Sequence, residues 1–292
     1  MEIPFPPLEA VRFYLSEQPM VVNFRWSPAL TWGSTWFFIF AAIAAYLAAA
    51  IAVHILLLLV AGRRPVPLGP LPALHGLAVA IVSAVIFAGT LVSAVAEIRD
   101  TRWFWRRTGT ATPVHWLLCF PLGTRPSGRV FFWSYAFYLS RFLHLLRTFS
   151  AILRRRVLPL FQIFNQSTLL LMSFLWLEFS QSSQVLAILS STLLYVVICG
   201  YRFWTELGLP PASFQLVGNC HVAVLGCHMA CHVGLLFLHL FGGGCNGMGA
   251  WIINSFLNGA ILMLILKFYA EKARSSSSEY LKSDGDWKKD DQ

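Results

Sequence analysis

Three long stretches without a formal charge constrain this chain more than any other feature. Residues 27–62, 65–96 and 207–266 contain no aspartate, glutamate, lysine or arginine. A helix needs roughly 20 apolar residues to cross a bilayer, and each stretch is longer than that. Because a backbone in lipid must satisfy its own hydrogen bonds, such stretches are expected to be helical. The pattern predicts an all-α integral membrane protein.

The composition supports this prediction. Hydrophobic residues make up 57% of the chain and charged residues 12%, and the mean hydropathy is +0.63. Soluble domains carry about 25% charged residues, because water covers their surface. The formal net charge of +9 therefore indicates anionic lipid headgroups and a bias toward positively charged cytosolic loops, not nucleic acid. The expected partner of the surface is the lipid bilayer.

Hydrophobic patterning predicts about seven transmembrane helices, joined by turns rich in glycine, proline and serine. The predicted helices span residues 31–61, 75–96, 130–149, 157–177, 184–204, 216–241 and 250–270. They form one membrane domain over 31–270. An N-terminal segment outside the membrane, 1–30, precedes it, and a polar tail, 271–292, is expected to be disordered.

The third helix differs from the others because it carries charge. Arg141, His144 and Arg147 follow a charge-free stretch of that helix. A charged residue at bilayer depth usually faces a protein interior or a water-filled cavity. The helix therefore lies at the membrane interface or forms the wall of a polar site.

The distribution of arginine predicts the orientation. With seven spans and a cytosolic C-terminus, the cytosolic loops hold Arg63, Arg64, Arg154, Arg155 and Arg156, as expected for positive residues on the inside. The loop over 97–129 disagrees, since it would lie outside and yet contains six arginines. These are Arg99, Arg102, Arg106, Arg107, Arg125 and Arg129.

Cysteine and histidine residues form a second group of candidate functional residues. The six cysteines mostly lie inside apolar stretches, which does not indicate a secreted disulfide framework. On the sixth helix, His221, His228, His232 and His239 fall within about 40° of one another around the axis. Of these four histidines, a single metal ion can reach only His228 and His232, which are therefore the candidate ligands. A seam of neutral histidines is the simpler interpretation, and a proton relay is a third.

The segment from the third to the fifth helix resembles the ELO family, the membrane condensing enzymes of fatty acid elongation. The family shows FWS-Y, KxxExxDT, a basic turn, LxFLHxYHHxT and a tyrosine-rich turn ending in LG. Here FFWSY stands at 131–135, LRRR at 153–156, LPLFQIFNQST at 158–168 and CGYRFWTELG at 199–208. The resemblance implies six helices around an acyl tunnel, with one helix outside. It also implies an endoplasmic reticulum membrane.

The ionisable positions of the family motifs depart from the pattern. The lysine, glutamate and aspartate positions hold Arg141, His144 and Arg147, and the threonine remains as Thr148. The later family histidine falls on Tyr195. The three histidines of HxxHH are replaced by Gln162, Asn165 and Gln166.

The resemblance implies condensation of long-chain acyl-CoA with malonyl-CoA, with no bound cofactor and with other enzymes of the elongation cycle as expected partners. An imidazole of HxxHH would be the nucleophile or base, and amides cannot replace it in that role. The amides of Gln162, Asn165 and Gln166 can still orient a thioester carbonyl or donate to an oxyanion. His144 is then the first candidate for the base. Thr148 and Tyr195 are further candidates for the catalytic site, since they stand at family positions.

Arg141, Arg147 and Tyr201 are expected to bind substrate, and Arg154, Arg155 and Arg156 to bind CoA phosphates. By helical spacing, Arg141, His144 and Thr148 share one face of the third helix, and the fourth helix has a similar polar face formed by Gln162, Asn165 and Gln166. On the residues alone, these two polar stripes are an interhelical seam or the wall of a cavity. A relative without catalytic activity, which binds acyl chains or modulates an elongation complex, is the alternative function.

Overall fold

The computed structural model describes residues 7–60, 66–108, 113–155, 158–208 and 214–287. Long helices dominate it, and we number these seven in chain order. They are α1 (Trp36–Val60), α2 (Leu71–Thr108), α3 (Arg129–Arg155), α4 (Leu160–Glu178), α5 (Gln184–Glu206), α6 (Phe214–Phe241) and α7 (Met248–Trp287). Short helical turns cover Pro7–Val22, and a short helix, Pro113–Leu118, lies between α2 and α3.

Six of the long helices are apolar enough to cross a membrane by length and composition, and α3 is the exception. Its apolar run is interrupted by Arg141, His144 and Arg147. The prediction of an all-α integral membrane protein is confirmed, whereas the count of seven spans is not. Burial explains how α3 holds its charge, because Arg141 and His144 are covered by protein.

Six helices close a ring around a shared interior. Each helix packs on its two neighbours in the order α2, α3, α4, α7, α6, α5 and back to α2. The remaining long helix, α1, packs on α3 and α4 from outside. Its sequence is apolar, as expected for a helix that contacts lipid and one face of the protein.

One end of the ring is closed by a network that we call the capped end, formed by residues 119–124, 179–182 and 243–247. Asn246 joins its own loop to the other two, since its Nδ2 donates to the carbonyls of Phe179, Ser180 and Thr124 at 3.1, 3.1 and 3.4 Å. Its Oδ1 accepts from the amide of Gly123 at 3.1 Å. The N-terminal segment also packs on this end of the bundle, where the Trp26 indole donates to Glu178 at 2.9 Å.

A disulfide joins Cys119 to Cys245 within the capped end, with the two Cα atoms 5.1 Å apart. The sequence did not predict this pair. Both cysteines lie outside the long helices, next to turns, so the apolar surroundings of the other cysteines were no guide. In the part of the chain described, Cys199, Cys220, Cys227 and Cys231 are free thiols.

Two helices extend far beyond their predicted ends, and α3 runs on from residue 149 to Arg155. The second was expected to stop at residue 96 and continues to Thr108. The extension carries charges that pair locally, because Asp100 accepts from Arg129 at 2.7 Å and lies 3.5 Å from Arg99. The last helix continues to Trp287, through most of the tail for which we expected disorder. Ala, Glu, Lys and Arg at the start of that tail are good helix formers, and they continue a helix that is already nucleated.

Candidate functional site

Arg141, His144 and Tyr195 meet inside the ring, and we call them the polar centre. The first two lie one helical turn apart on α3, and Tyr195 faces them from α5. The His144 and Tyr195 rings are 4.5 Å apart in an edge-on arrangement. The Arg141 guanidinium carbon lies 4.5 Å from the centre of the Tyr195 ring. All three side chains are buried, so three positions of the family motifs come together away from lipid and water.

The hydrogen bond between Arg141 and His144 fixes the state of the imidazole. Arg141 Nη2 lies 3.1 Å from His144 Nε2. A guanidinium has only donors, so Nε2 is the acceptor and the neutral ring carries its proton on Nδ1. The basic lone pair of His144 is present, but it points at Arg141. For the imidazole to react through Nε2, the guanidinium must move aside.

Thr148 is on the same helix as the polar centre but makes different contacts. Its Oγ1 lies 2.6 Å from the hydroxyl of Tyr46 on α1 and accepts from Gln162 Nε2 on α4 at 3.3 Å. These bonds join three helices, including the one outside the ring. At this point the polar stripe is an interhelical seam, the simpler of the two interpretations.

The other two amides of the altered histidine box differ in exposure. Gln166 is 3% exposed, and its Oε1 has no hydrogen-bond partner. Asn165 is half-buried. Together with Gln162, these positions supply amide groups that can orient a carbonyl or donate to an oxyanion but cannot accept an acyl group.

At the end of the ring opposite the cap, Arg154 already binds another residue of the protein. Both terminal nitrogens of Arg154 bind the Glu206 carboxylate, at 2.6 and 2.7 Å, and so join the ends of α3 and α5. Arg156 and the side chain of Arg155 lie outside the described residues. Arg147 and Tyr201 are half-buried. Any role of Arg154 in binding CoA phosphates requires competition with Glu206.

The histidine stripe of α6 is divided among different partners. His228 Nε2 lies 2.6 Å from Ser190 Oγ on α5. His232 binds α7 through Ser255 Oγ at 2.7 Å and Asn258 Nδ2 at 3.3 Å. Among the described residues, no group of three His, Cys, Asp or Glu side chains could hold a metal ion. These contacts fit a polar seam, and they border a cavity of about 190 Å³ between α5, α6 and α7.

Sequence reasoning did not single out the polar residues between the polar centre and the capped end. Gln184 is fully buried, and neither its Oε1 nor its Nε2 has a partner. Asn254 binds Gln181 through its Nδ2, and its Oδ1 is unpaired. An amide inside an apolar span is itself a signal, because such a group is costly in lipid and tends to face a bundle interior.

The polar centre combines one buried imidazole and one buried cation, and buried amides such as Gln166 and Gln184 lie on the neighbouring helices α4 and α5. In a site without water, a cation and amide donors stabilise developing negative charge far better than they do in solution. The imidazole is the group among them suited to acid–base or nucleophilic work near neutral pH. Such a site is suited to acyl transfer through an anionic intermediate.

Comparison with known proteins agrees with this architecture. The model of the GNS1/SUR4 family, ELO, matches residues 31–280. The chain is 59% identical over 264 residues to "Fatty acid elongase 3-like" of Arabidopsis thaliana, covering 90% of this chain and 91% of that protein. It is 24% identical over 167 residues to "Fatty acid elongase A" of Dictyostelium discoideum, covering 56% and 60% of the two chains. No solved structure matches the chain significantly. The chain therefore belongs to the ELO (GNS1/SUR4) family of membrane proteins, and its relatives support a role in fatty acid elongation.

Proposed function

We propose that the protein is a very-long-chain 3-oxoacyl-CoA synthase, which condenses long-chain acyl-CoA with malonyl-CoA. The observation that carries this proposal is the buried imidazole of His144 beside Arg141 inside the ring. The ionisable positions of the family motifs have changed, yet one group capable of nucleophilic or acid–base chemistry remains at their centre. The substrates are expected to occupy the ring interior.

The reaction requires little from the protein beyond this set of groups. Loss of carbon dioxide from malonyl-CoA breaks a carbon–carbon bond and leaves the electron pair as an enolate. The enolate carbon attacks the acyl thioester carbonyl, the carbon–sulfur bond breaks, and CoA leaves as a thiolate that takes up a proton.

In this direct route His144 would donate the proton that the thiolate takes up. In the alternative two-step route, a nitrogen of His144 attacks the thioester first, so that a carbon–nitrogen bond forms as the carbon–sulfur bond breaks, and the enolate then displaces the imidazole from the acyl group. The amides of the altered box can do neither.

We further propose an endoplasmic reticulum membrane with a cytosolic C-terminus. The disulfide of the capped end supports this orientation, because disulfides persist in oxidising compartments such as the lumen. The arginine-rich turn at the end of α3 lies at the opposite end of the bundle, and α7 leaves the membrane at that end too. The arginines near the start of α3 then lie on the lumenal side, where Asp100 offsets part of their charge. Other enzymes of the elongation cycle are the expected partners in this membrane.

The experiment uses microsomes that contain the full-length protein, labelled malonyl-CoA and a long-chain acyl-CoA. We expect labelled 3-oxoacyl-CoA from the wild type and a loss of at least about 100-fold in rate for His144→Ala, the usual effect of removing an acid–base group. His54→Ala is the matched control, since His54 lies on α1 outside the ring. Absence of product from correctly inserted protein would refute the condensing activity, and an unchanged rate for His144→Ala would refute the role of His144.

A relative that binds acyl chains without reacting is the second candidate. It is favoured by one observation, the use of Gln162 in a hydrogen bond to Thr148 where the family has a histidine. Such a protein would bind acyl-CoA, release no labelled product, and raise the rate of a condensing enzyme added to the same membranes.

A further inference from the structure

Among the residues that the structure describes, Arg141 is the largest side chain that is completely buried, with 1% of its surface exposed. The guanidinium lies between two aromatic rings, 4.1 Å from the centre of Phe137 and 4.5 Å from that of Tyr195. Both rings attract the cation, but neither carries a formal counter-charge. A buried arginine in a membrane protein is costly and usually marks a functional site.

The hydrogen bonds of Arg141 leave part of the guanidinium unused. Its Nη2 binds the neutral groups Ser140 Oγ and His144 Nε2, both at 3.1 Å. Its Nε and Nη1 have no hydrogen-bond partner. None of the ion pairs among the described residues involves Arg141.

Replacement of the family's acidic positions increases the excess of positive charge. His144 and Arg147 stand where the family has glutamate and aspartate, so the carboxylates have been lost while the cation has been kept. A buried cation with free donors is unfavourable unless an anion completes it. The anion that this site lacks must then come from a ligand.

We infer that Arg141 binds the free carboxylate of the malonyl group. This inference rests on the proposed function and names the substrate group recognised at the polar centre. Both substrates carry the CoA phosphates, but only malonyl-CoA carries a negative charge next to the reacting carbon. The guanidinium therefore distinguishes the extender unit from the acyl chain, and a carboxylate at Arg141 competes with the bond that occupies His144 Nε2.

The test compares purified full-length wild type, Arg141→Met and Arg141→Lys by thermal unfolding, with malonyl-CoA or with acetyl-CoA, which lacks the carboxylate. Without ligand, Arg141→Met is expected to unfold at a higher temperature than the wild type, because an uncompensated buried charge is removed. Malonyl-CoA should stabilise the wild type more than acetyl-CoA does. This difference should vanish in Arg141→Met and return in part in Arg141→Lys.

Kinetics provide the second measurement. The KM for malonyl-CoA should rise about 10- to 100-fold in Arg141→Met, the effect of losing a charge-assisted hydrogen bond. The KM for acyl-CoA should stay within about twofold, since an acyl chain has no carboxylate that could bind the guanidinium. Arg129→Met, which removes a partly exposed arginine paired with Asp100, is the matched control and should keep the wild-type preference for malonyl-CoA.

Three results would overturn the inference. Arg141→Met could unfold at a lower temperature than the wild type, which would make Arg141 a structural residue. Malonyl-CoA and acetyl-CoA could stabilise the wild type equally. A fall in kcat with an unchanged KM for malonyl-CoA would place the guanidinium on the transition state instead. Carboxylate-dependent stabilisation without any condensation product would support Arg141 as the binding residue while refuting the proposed reaction, so the two failures are distinguishable.

Discussion

The capped end and the polar centre are both polar regions of a membrane bundle, but they differ in whether their polar atoms have hydrogen-bond partners. At the capped end, Asn246 uses both its amide oxygen and its amide nitrogen. At the polar centre, Arg141 leaves two nitrogens without a partner. Satisfied polar groups stabilise a fold, whereas unsatisfied buried ones are kept at the expense of stability and indicate binding or catalysis. The comparison predicts that substitutions at the cap affect stability and substitutions at the centre affect activity.

The disulfide offers the largest test of the cap. Cys119→Ser combined with Cys245→Ser opens a loop with a sequence separation of 126 residues. The expected loss is about 4 kcal/mol of stability, since long closed loops gain the most from cross-linking. Thermal unfolding in detergent measures it, with Cys220→Ser as the control for a free thiol. The rate per folded molecule should not change. A double variant that is stable but inactive would contradict the division between the two regions.

Gly247 tests the close packing of the loops. Its φ is +75°, and an added Cβ would lie 2.7 Å from the Cα of Gln181. Gly247→Ala is therefore expected to cost about 3 kcal/mol, from both backbone strain and a backbone clash. Gly123→Ala is the matched control, since its φ is +82° but nothing lies within 4 Å of the added Cβ. If the two variants unfold at the same temperature, the clash contributes nothing.

The seam between α1 and α3 should show a smaller effect. Tyr46→Phe removes one hydrogen bond to Thr148, while Gln162 remains bonded to the same oxygen. We expect a loss of about 1 kcal/mol in unfolding free energy and unchanged condensation kinetics. A large loss of activity in this variant would show that the seam and the polar centre act together.

The ion pair at the open end should contribute least to stability. Glu206→Gln releases Arg154, and because the pair is partly exposed the change in stability should stay below about 1 kcal/mol. If the basic turn binds CoA phosphates, the freed guanidinium should lower the KM for acyl-CoA. A higher KM would instead show that Glu206 holds Arg154 in its binding position.

Much of the fold was predictable because membrane helices can be recognised from their apolar composition. The order and number of the long helices followed from apolar stretches, and most of their ends lie within a few residues of the prediction. The predictions failed where charge enters a helix. Residues 97–108 and 271–287 are helical although polar, since hydropathy detects burial in lipid and not helix formation.

The candidate site was predictable in part. Helical spacing placed Arg141 and His144 on one face, and the structure buries both. Spacing could not show that Thr148, on the same face, bonds to α1 and α4, because the direction of a neighbouring helix is a tertiary property. The pairing of Cys119 with Cys245 is likewise a matter of which loops meet in space.

The ring closes in an order that has a consequence for biosynthesis. The last helix, α7, completes the ring by packing between α4 and α6. Until it is inserted, one side of the interior faces lipid, and Gln181 and His232 lack the hydrogen-bond partners that α7 supplies. A chain truncated before α7 would expose polar groups that lipid cannot solvate, and quality-control machinery that inspects membrane helices would recognise it as incomplete.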